Sequence, residues 1–247
     1  MIKIALQVLM ILFSTQALFA QANEAVELDD FGQVNSETLE SRLDYIGTSL
    51  LNNSSAWLQI MIYRGESDSL GSPYRRAAIM KSYLNDYRKI SNDVSVTYCD
   101  TEKENRTRVW LLPAGASPQT CSPPSPNVFT ATTLFDAFYN FDDAGCCAVN
   151  DFTADKADAS LSAFAQELKR VSESKAYVYL YKSNWTGESH KSSFITKWRK
   201  TVMKRLAKEG IESSRIIVKY GGYRKESATM ELWLIPKSSK IPKPKPD

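Results

Sequence analysis

Histidine is almost missing from this chain: among 247 residues there is one, His190. A Ser/His/Asp or Cys/His site could be built only on that residue, which lies in the polar stretch 186–193 beside the start of a helical pattern. The cysteines are few as well, Cys99, Cys121, Cys146 and Cys147. Their spacing contains no Cys-x-x-Cys pair, so neither a structural metal site nor a cofactor is expected. There is no glycine-rich phosphate loop, because the one Gly-Gly pair, Gly221-Gly222, falls between apolar runs and reads as a turn. After residue 22 no apolar run approaches the roughly 20 residues that a membrane-spanning helix requires. An excess of one charge is also lacking, with a net charge of +3 for the whole chain and +2 once residues 1–22, which hold Lys3 and no acid, are set aside. Near-balance of this kind argues against an electrostatic nucleic-acid binder.

What is present begins with Lys3, an apolar run from Ile4 to Phe13 interrupted only by Gln7, and small residues ending Ala20-Gln21-Ala22. This reads as a signal peptide over residues 1–22, cut after Ala22 or Ala20, since the run is too short to span a bilayer. The expectation is a soluble exported protein, periplasmic or secreted. In an oxidising compartment the four cysteines are disulfide candidates. Cys146 and Cys147 are adjacent and would be strained if bonded to each other, so the favoured pairing joins them to Cys99 and Cys121, in either order.

The chain also repeats itself. Leu39, Leu43, Ile46 and Leu50 recur at helical spacing, and Ala157, Leu161, Phe164 and Leu168 do the same. Each helix leads into an apolar strand, Ala56 to Tyr63 in one copy and Ala176 to Tyr181 in the other. A second helix follows each strand, from Tyr74 to about Lys89 and along Phe194, Trp198, Val202 and Leu206. The copies close on similar strands, Val109-Trp110-Leu111-Leu112-Pro113 and Leu232-Trp233-Leu234-Ile235-Pro236. A fixed order of elements seen twice outranks local features when an architecture is assigned. The predicted fold is α/β (α+β), two copies of a helix-strand-helix-strand-strand two-layer sandwich.

The copies span 23–113 and 134–236. A Pro/Ser/Thr-rich linker at 114–133 separates them, and a loose Lys/Pro tail occupies 237–247. Residues 94–113 read as a hairpin, and 134–151 as an irregular stretch holding the cysteine pair. With both helices of a copy on one side of its sheet, the other side is bare. Strand alternation places Trp57, Met61 and Tyr63 on that side in the first copy and Tyr177, Tyr179 and Tyr181 in the second, with Trp110 and Trp233 as further members. An aromatic patch of this size needs cover. Two arrangements supply it: the copies pack sheet against sheet, or the face receives a ring-bearing partner such as a sugar chain.

The run Trp198 to Ile216, W-R-K-T-V-M-K-R-L-A-K-E-G-I-E-S-S-R-I, resembles the part of OmpA-like peptidoglycan-associating domains that reads R-A-x-x-V-x-x-x-L, then G-I, then R-I. Arg199, Val202, Leu206, Gly210-Ile211 and Arg215-Ile216 carry the match. In the first copy Arg76-Ala77 is similar to the Arg-Ala pair, and Gly65 to Gly71 to the Asp-containing loop. The closing motif, Gly221-Gly222-Tyr223-Arg224 with Glu231-Leu232-Trp233, also resembles uncharacterised exported bacterial proteins. The OmpA-like resemblance implies a diaminopimelate carboxylate held by Asp68 and Arg76 in copy one and by Arg199 in copy two, by the bidentate chemistry that arginine offers carboxylates.

Three functional readings follow. The first is a non-catalytic exported binding module associated with peptidoglycan or with an envelope protein. The second is a structural or protein-interaction module whose sheet faces bury each other. The third is a hydrolase, which would need an activated His190 or a carboxylate pair drawn from Asp29-Asp30, Asp142-Asp143 or Asp155/Asp158.

Overall fold

The first helix starts where Asn35 supplies a cap: its Oδ1 accepts the Thr38 N–H at 2.8 Å, satisfying one of the orphan donors of a helix start. In the computed structural model that describes this protein, residues 24–90, 94–139, 153–183, 193–225 and 227–246 are placed. Their elements are β1 (Val26–Phe31), α1 (Ser36–Leu51), β2 (Trp57–Gly65), α2 (Ser72–Ser82), β3 (Val94–Glu102) and β4 (Arg106–Leu112) in the first repeat. The second repeat holds β5 (Thr133–Tyr139), α3 (Thr153–Arg170), β6 (Lys175–Ser183), α4 (Phe194–Lys208), β7 (Ile216–Arg224) and β8 (Thr229–Ile235). Pro73 sits in the first turn of α2, where its missing N–H has no helical partner to lose.

Both repeats fold as the duplication implies, with a correction in strand number. Each sheet has four strands, ordered β1-β4-β2-β3 and β5-β8-β6-β7, not three. The additional strand lies at an edge: β1 pairs only with β4, and β5 only with β8, both antiparallel and both broken by a bulge. The expected hairpin over 94–113 is absent. β3 runs parallel to β2 on one side while β4 runs antiparallel to it on the other, so the 103–105 connection crosses the end of β2. Gly65 marks that crossing, since an added Cβ there would lie 2.8 Å from the Asn105 backbone nitrogen. Gly221-Gly222 likewise lies within β7 and is not a turn.

Helices cover one face of each sheet. Leu43, Ile46 and Leu50 of α1 and Ala77 and Met80 of α2 meet Leu58, Ile60, Ile62 and Val109 from the strands. The equivalent set in the second repeat is Leu161, Phe164 and Leu168 with Trp198, Val202 and Leu206, over Val178, Leu180, Leu232 and Leu234. Full burial of each large side chain in these sets stabilises by about 1.5–3 kcal/mol before the entropy of ordering is subtracted.

Among the described residues the two sheets do not pack face to face. The repeats join through α2 and α3, and Leu70 and Tyr74 of the first repeat pack on the core of the second. The far face of each sheet is instead covered by the segment that follows its closing strand. After β4 the chain doubles back so that Gln59 exchanges two bonds with the Gln119 backbone, at 2.8 and 2.9 Å, and the Asp100 N–H reaches the Ser122 carbonyl at 2.8 Å. After β8 a turn, with the Ser239 N–H on the Pro236 carbonyl at 3.1 Å, returns residues 240–246 across the tyrosines. The tail is therefore strapped down, not loose, because its backbone groups find partners on the sheet.

The first strap is covalently closed. Cys99 on β3 bonds Cys121, with their Cα atoms 5.7 Å apart. This corrects the pairing of Cys99 and Cys121 with the adjacent cysteines: the doubled-back strap puts Cys121 over β3, a proximity that residue spacing does not reveal. Cys146 and Cys147 lie outside the described residues, as do the 1–22 stretch and His190.

Candidate functional site

Asp68 and Arg76 converge. β2 ends at Gly65, a tight loop follows in which the Asp68 N–H bonds the Gly65 carbonyl at 3.0 Å, and α2 then presents Arg76 one turn in from its start. Arg76 Nη2 lies 3.3 Å from Asp68 Oδ2, and both side chains are mostly buried. The carboxylate also accepts from the Gly65 N–H and Ser72 Oγ, each at 3.3 Å, and from Asn105 Nδ2 at 3.4 Å. These contacts are at the long end of the hydrogen-bond range. Arg76 additionally donates to Thr107 Oγ1 at 3.2 Å and to the Arg106 carbonyl at 3.4 Å. Burial lowers the guanidinium pKa, Asp68 opposes that shift and Arg75 adds to it.

The pair borders a cavity of about 330 Å³, floored by Phe31, Val34, Leu39 and Ile79 and rimmed by Asp68, Arg76 and Asn105. Asn105 Oδ1 is buried there without a hydrogen-bond partner. The cavity thus offers an anion and a cation over an apolar floor. That set matches a ligand carrying both carboxylate and ammonium groups.

Arg199 is not part of this site. It is exposed on α4, and it follows the buried Trp198 whereas Arg76 precedes the buried Ala77, so the two arginines leave their helices on different faces. The acids singled out for hydrolysis also fail to pair. Asp29 faces the helix side and meets Arg42 at 2.5 Å, while Asp30 faces the far side and binds Arg106. Asp158 is half-exposed and 3.6 Å from Arg205. Asp142 and Asp143 lie outside the described residues, and nothing is described of the Asp155 side chain. Among the described residues no three His, Cys, Asp or Glu side chains gather as metal ligands. No helix among them is long and apolar enough to cross a membrane.

The aromatic face divides by repeat. In the first, Trp57, Tyr63 and Trp110 are half-buried, and Arg108 lies 4.9 Å over the Trp110 ring while pairing with Glu27. In the second, Tyr177, Tyr179 and Tyr181 are buried in a cluster with Ile235, against which Trp233 packs. Glu231 ties this cluster together, accepting from Tyr181 Oη at 3.1 Å, Trp233 Nε1 at 3.0 Å and Arg224 at 2.5 Å.

Burial pushes the Tyr181 hydroxyl up to about 12 and raises that of Tyr179. Tyrosines of an unfolded chain ionise near about 10. Between about pH 10 and 12 the unfolded state therefore releases protons that the folded state keeps, and stability, complete below that window, falls as pH rises through it. Urea midpoints measured across this range should decline, with a shallower decline for Tyr181→Phe; a flat wild-type profile would contradict the burial.

A second set of residues, Asp136, Arg75, Ser69 and Ser160, was not anticipated. The Asp136 side chain is wholly buried, pairs with Arg75, and accepts from Ser160 Oγ and, at 2.6 Å, from Ser69 Oγ. The sequence signal was present in the alignment of the repeats. The bulges place Asp29 and Asp136 at equivalent positions, and Arg42 and Ser160 each precede the first fully buried leucine of their helix.

No protein-family model matches the chain, and no curated protein matches it at the significance required. A solved cyanuric acid hydrolase, described as an "evolutionary innovation by structural concatenation", is similar at 12% identity over 86% of this chain and 67% of its own, with a TM-score of 0.23. A likeness at that score carries no argument about fold or activity.

Proposed function

We propose that this chain is an exported, non-catalytic binding module whose Asp68–Arg76 cavity takes a ligand end bearing both carboxylate and ammonium groups, of the kind that peptidoglycan stem peptides present. The observation that carries the reading is the meeting of Asp68 and Arg76 on the rim of one apolar-floored cavity that Asn105 also lines. Arg76 would clamp the carboxylate while Asp68 accepts from the ammonium group. The Cys99–Cys121 disulfide favours an oxidising compartment, consistent with export.

Insoluble peptidoglycan should retain the wild-type chain, and Asp68→Ala and Arg76→Ala should each lower retention at least about tenfold, the scale of one lost charge-assisted bond. Because Arg76 also holds the β4 backbone, thermal midpoints and Arg76→Lys accompany the assay. The lysine variant keeps the charge but loses the bidentate fork. Arg199→Ala should be retained like wild type. Unchanged retention in the Asp68 and Arg76 variants, or none in wild type, rejects the site.

A further inference from the structure

The two straps occupy equivalent places but are fastened differently. β2 and β6 hold Tyr63 and Tyr181 at matching registers, opposite Cys99 on β3 and Gly222 on β7 respectively. Where the first repeat has Cys99 bonded to its strap, the second has Gly222, with φ of 112°, and the strap's Pro246 lies against it. A Cβ at Gly222 would stand 2.9 Å from Pro246 Cβ. Neighbouring Gly221 plays a related part, since a Cβ there would fall 2.6 Å from Tyr181 Cζ. The sheet is thus cut away at two consecutive positions, one seating the tyrosine ring and the other seating a proline.

The second strap is held without a covalent bond. Tyr179 Oη donates to the Pro242 carbonyl at 2.8 Å, the Lys245 N–H donates to Tyr181 Oη at 3.2 Å, and Arg224 reaches the Lys245 carbonyl at 3.4 Å. Thr132 Oγ1 bonds the Lys240 carbonyl at 2.5 Å. The occupant, Ile241-Pro242-Lys243-Pro244-Lys245-Pro246, carries proline at every second position, which fixes its φ values in an extended range and removes three backbone donors. Tyrosine and tryptophan rings with hydroxyl and guanidinium groups aimed at backbone carbonyls constitute the chemistry by which grooves recognise proline-rich segments. Tyr177, Tyr179, Tyr181 and Trp233 supply the rings, and Tyr179 and Arg224 supply the donors.

We propose that the far face of the second sheet is a binding groove for an extended proline-rich segment of another polypeptide, and that the chain's own 240–246 segment is its resident occupant in cis. The first repeat has lost that capacity, because Cys99–Cys121 locks its strap in place. A partner segment gains access only when it outcompetes the tail, whose tether keeps it at a high effective concentration.

The test uses the full-length chain with Pro242, Pro244 and Pro246 each changed to Gly, which loosens the tail and leaves the groove intact. A peptide of sequence 239–246 is titrated while tryptophan emission is followed, with Trp233→Phe identifying the reporter. The expected result is saturable binding to the triple variant and at least tenfold weaker binding to wild type. Equal responses of both chains, or none from a triple variant with wild-type circular dichroism, overturn the proposal. Hydrogen exchange on wild type gives an independent reading that does not need the variant to fold. The Lys245 amide should exchange at least tenfold faster than the amides of β6 and β8, and equal protection would make the tail an inseparable part of the sheet and overturn the proposal. A wild-type chain that dimerises by exchanging tails, with the peptide silent, overturns it as well.

Discussion

Asp136→Ala should lower the unfolding free energy by about 3–5 kcal/mol, the cost of stripping one partner from a buried ion pair. Asp136 has no exposed side-chain surface, and the Arg75 side chain is 19% exposed, so the arginine left behind could not be resolvated fully. The reason for this placement lies in the duplication. In the first repeat, Asp29 on the β1 bulge pairs with Arg42 of α1, and that guanidinium sits 5.0 Å over the Phe31 ring. In the second repeat, Asp136 occupies the matching bulge and Phe138 the matching ring, but α3 carries Ser160 in place of arginine. Arg75 of the first repeat fills the vacancy, pairing with Asp136 and lying 5.3 Å over Phe138.

An ion pair that closes within the first repeat therefore closes between repeats at the second. Loss of Asp136 should both destabilise the chain and uncouple its halves, visible as a broadened or two-step urea transition. Asp29→Ala is the internal comparison. Arg42 is more exposed, at 34%, so its loss of partner should cost no more than about 1 kcal/mol. Replacing Arg75 with Met together with Asp136→Leu should recover much of the loss, because a buried pair exchanged for apolar groups is often neutral. An Asp136→Ala chain that unfolds within about 0.5 kcal/mol of wild type, the range of ordinary surface substitutions, would refute this account.

Replacing Cys99 and Cys121 by serine should cost about 3 kcal/mol, the chain-entropy value for a closed loop of this size. The two residues are 22 positions apart, and the loop includes β4, so the bond restrains the unfolded chain as well as the strap. The substitution should also expose the proline-rich segment 114–128 to limited proteolysis. Its remaining holds include the exchange between Gln59 and Gln119, the bond from Asp100 to Ser122 and, near its end, the bonds that join Asn127 to Glu167 and Arg170. Urea midpoints and digestion patterns of the double variant check both points. Unchanged stability, or cleavage elsewhere first, would show that the strap is held by its noncovalent contacts alone.

Helix and strand stripes were legible because their periodicity is local. Leu43, Ile46 and Leu50 were expected inside and are fully buried, and of the two polar residues at the helix start, Asn35 and Ser36, it is Asn35 that caps it. The edge strands β1 and β5 were missed because Glu27, Asp29, Asp30 and Asp136 break the apolar signal. Those acids are tolerated where an arginine or a hydroxyl meets them, and such partners come from distant segments. Asp68 and Arg76 are eight residues apart, so a loop entering a helix already hinted that they could meet. Asn105 joins them only because β4 returns beside β2, with the intervening connection passing over Gly65.

Duplication, the helix-bearing face of each sheet and the parity of its far side follow from residue order, since hydrophobic spacing repeats every 2.0 or 3.6 positions regardless of what lies elsewhere in the chain. Sheet order, the covering of the far faces and the pairing of Cys99 with Cys121 were decided by tertiary structure. Each depends on which remote backbone groups and side chains come within bonding distance once the chain doubles back, and adjacency in sequence carries no record of that return path.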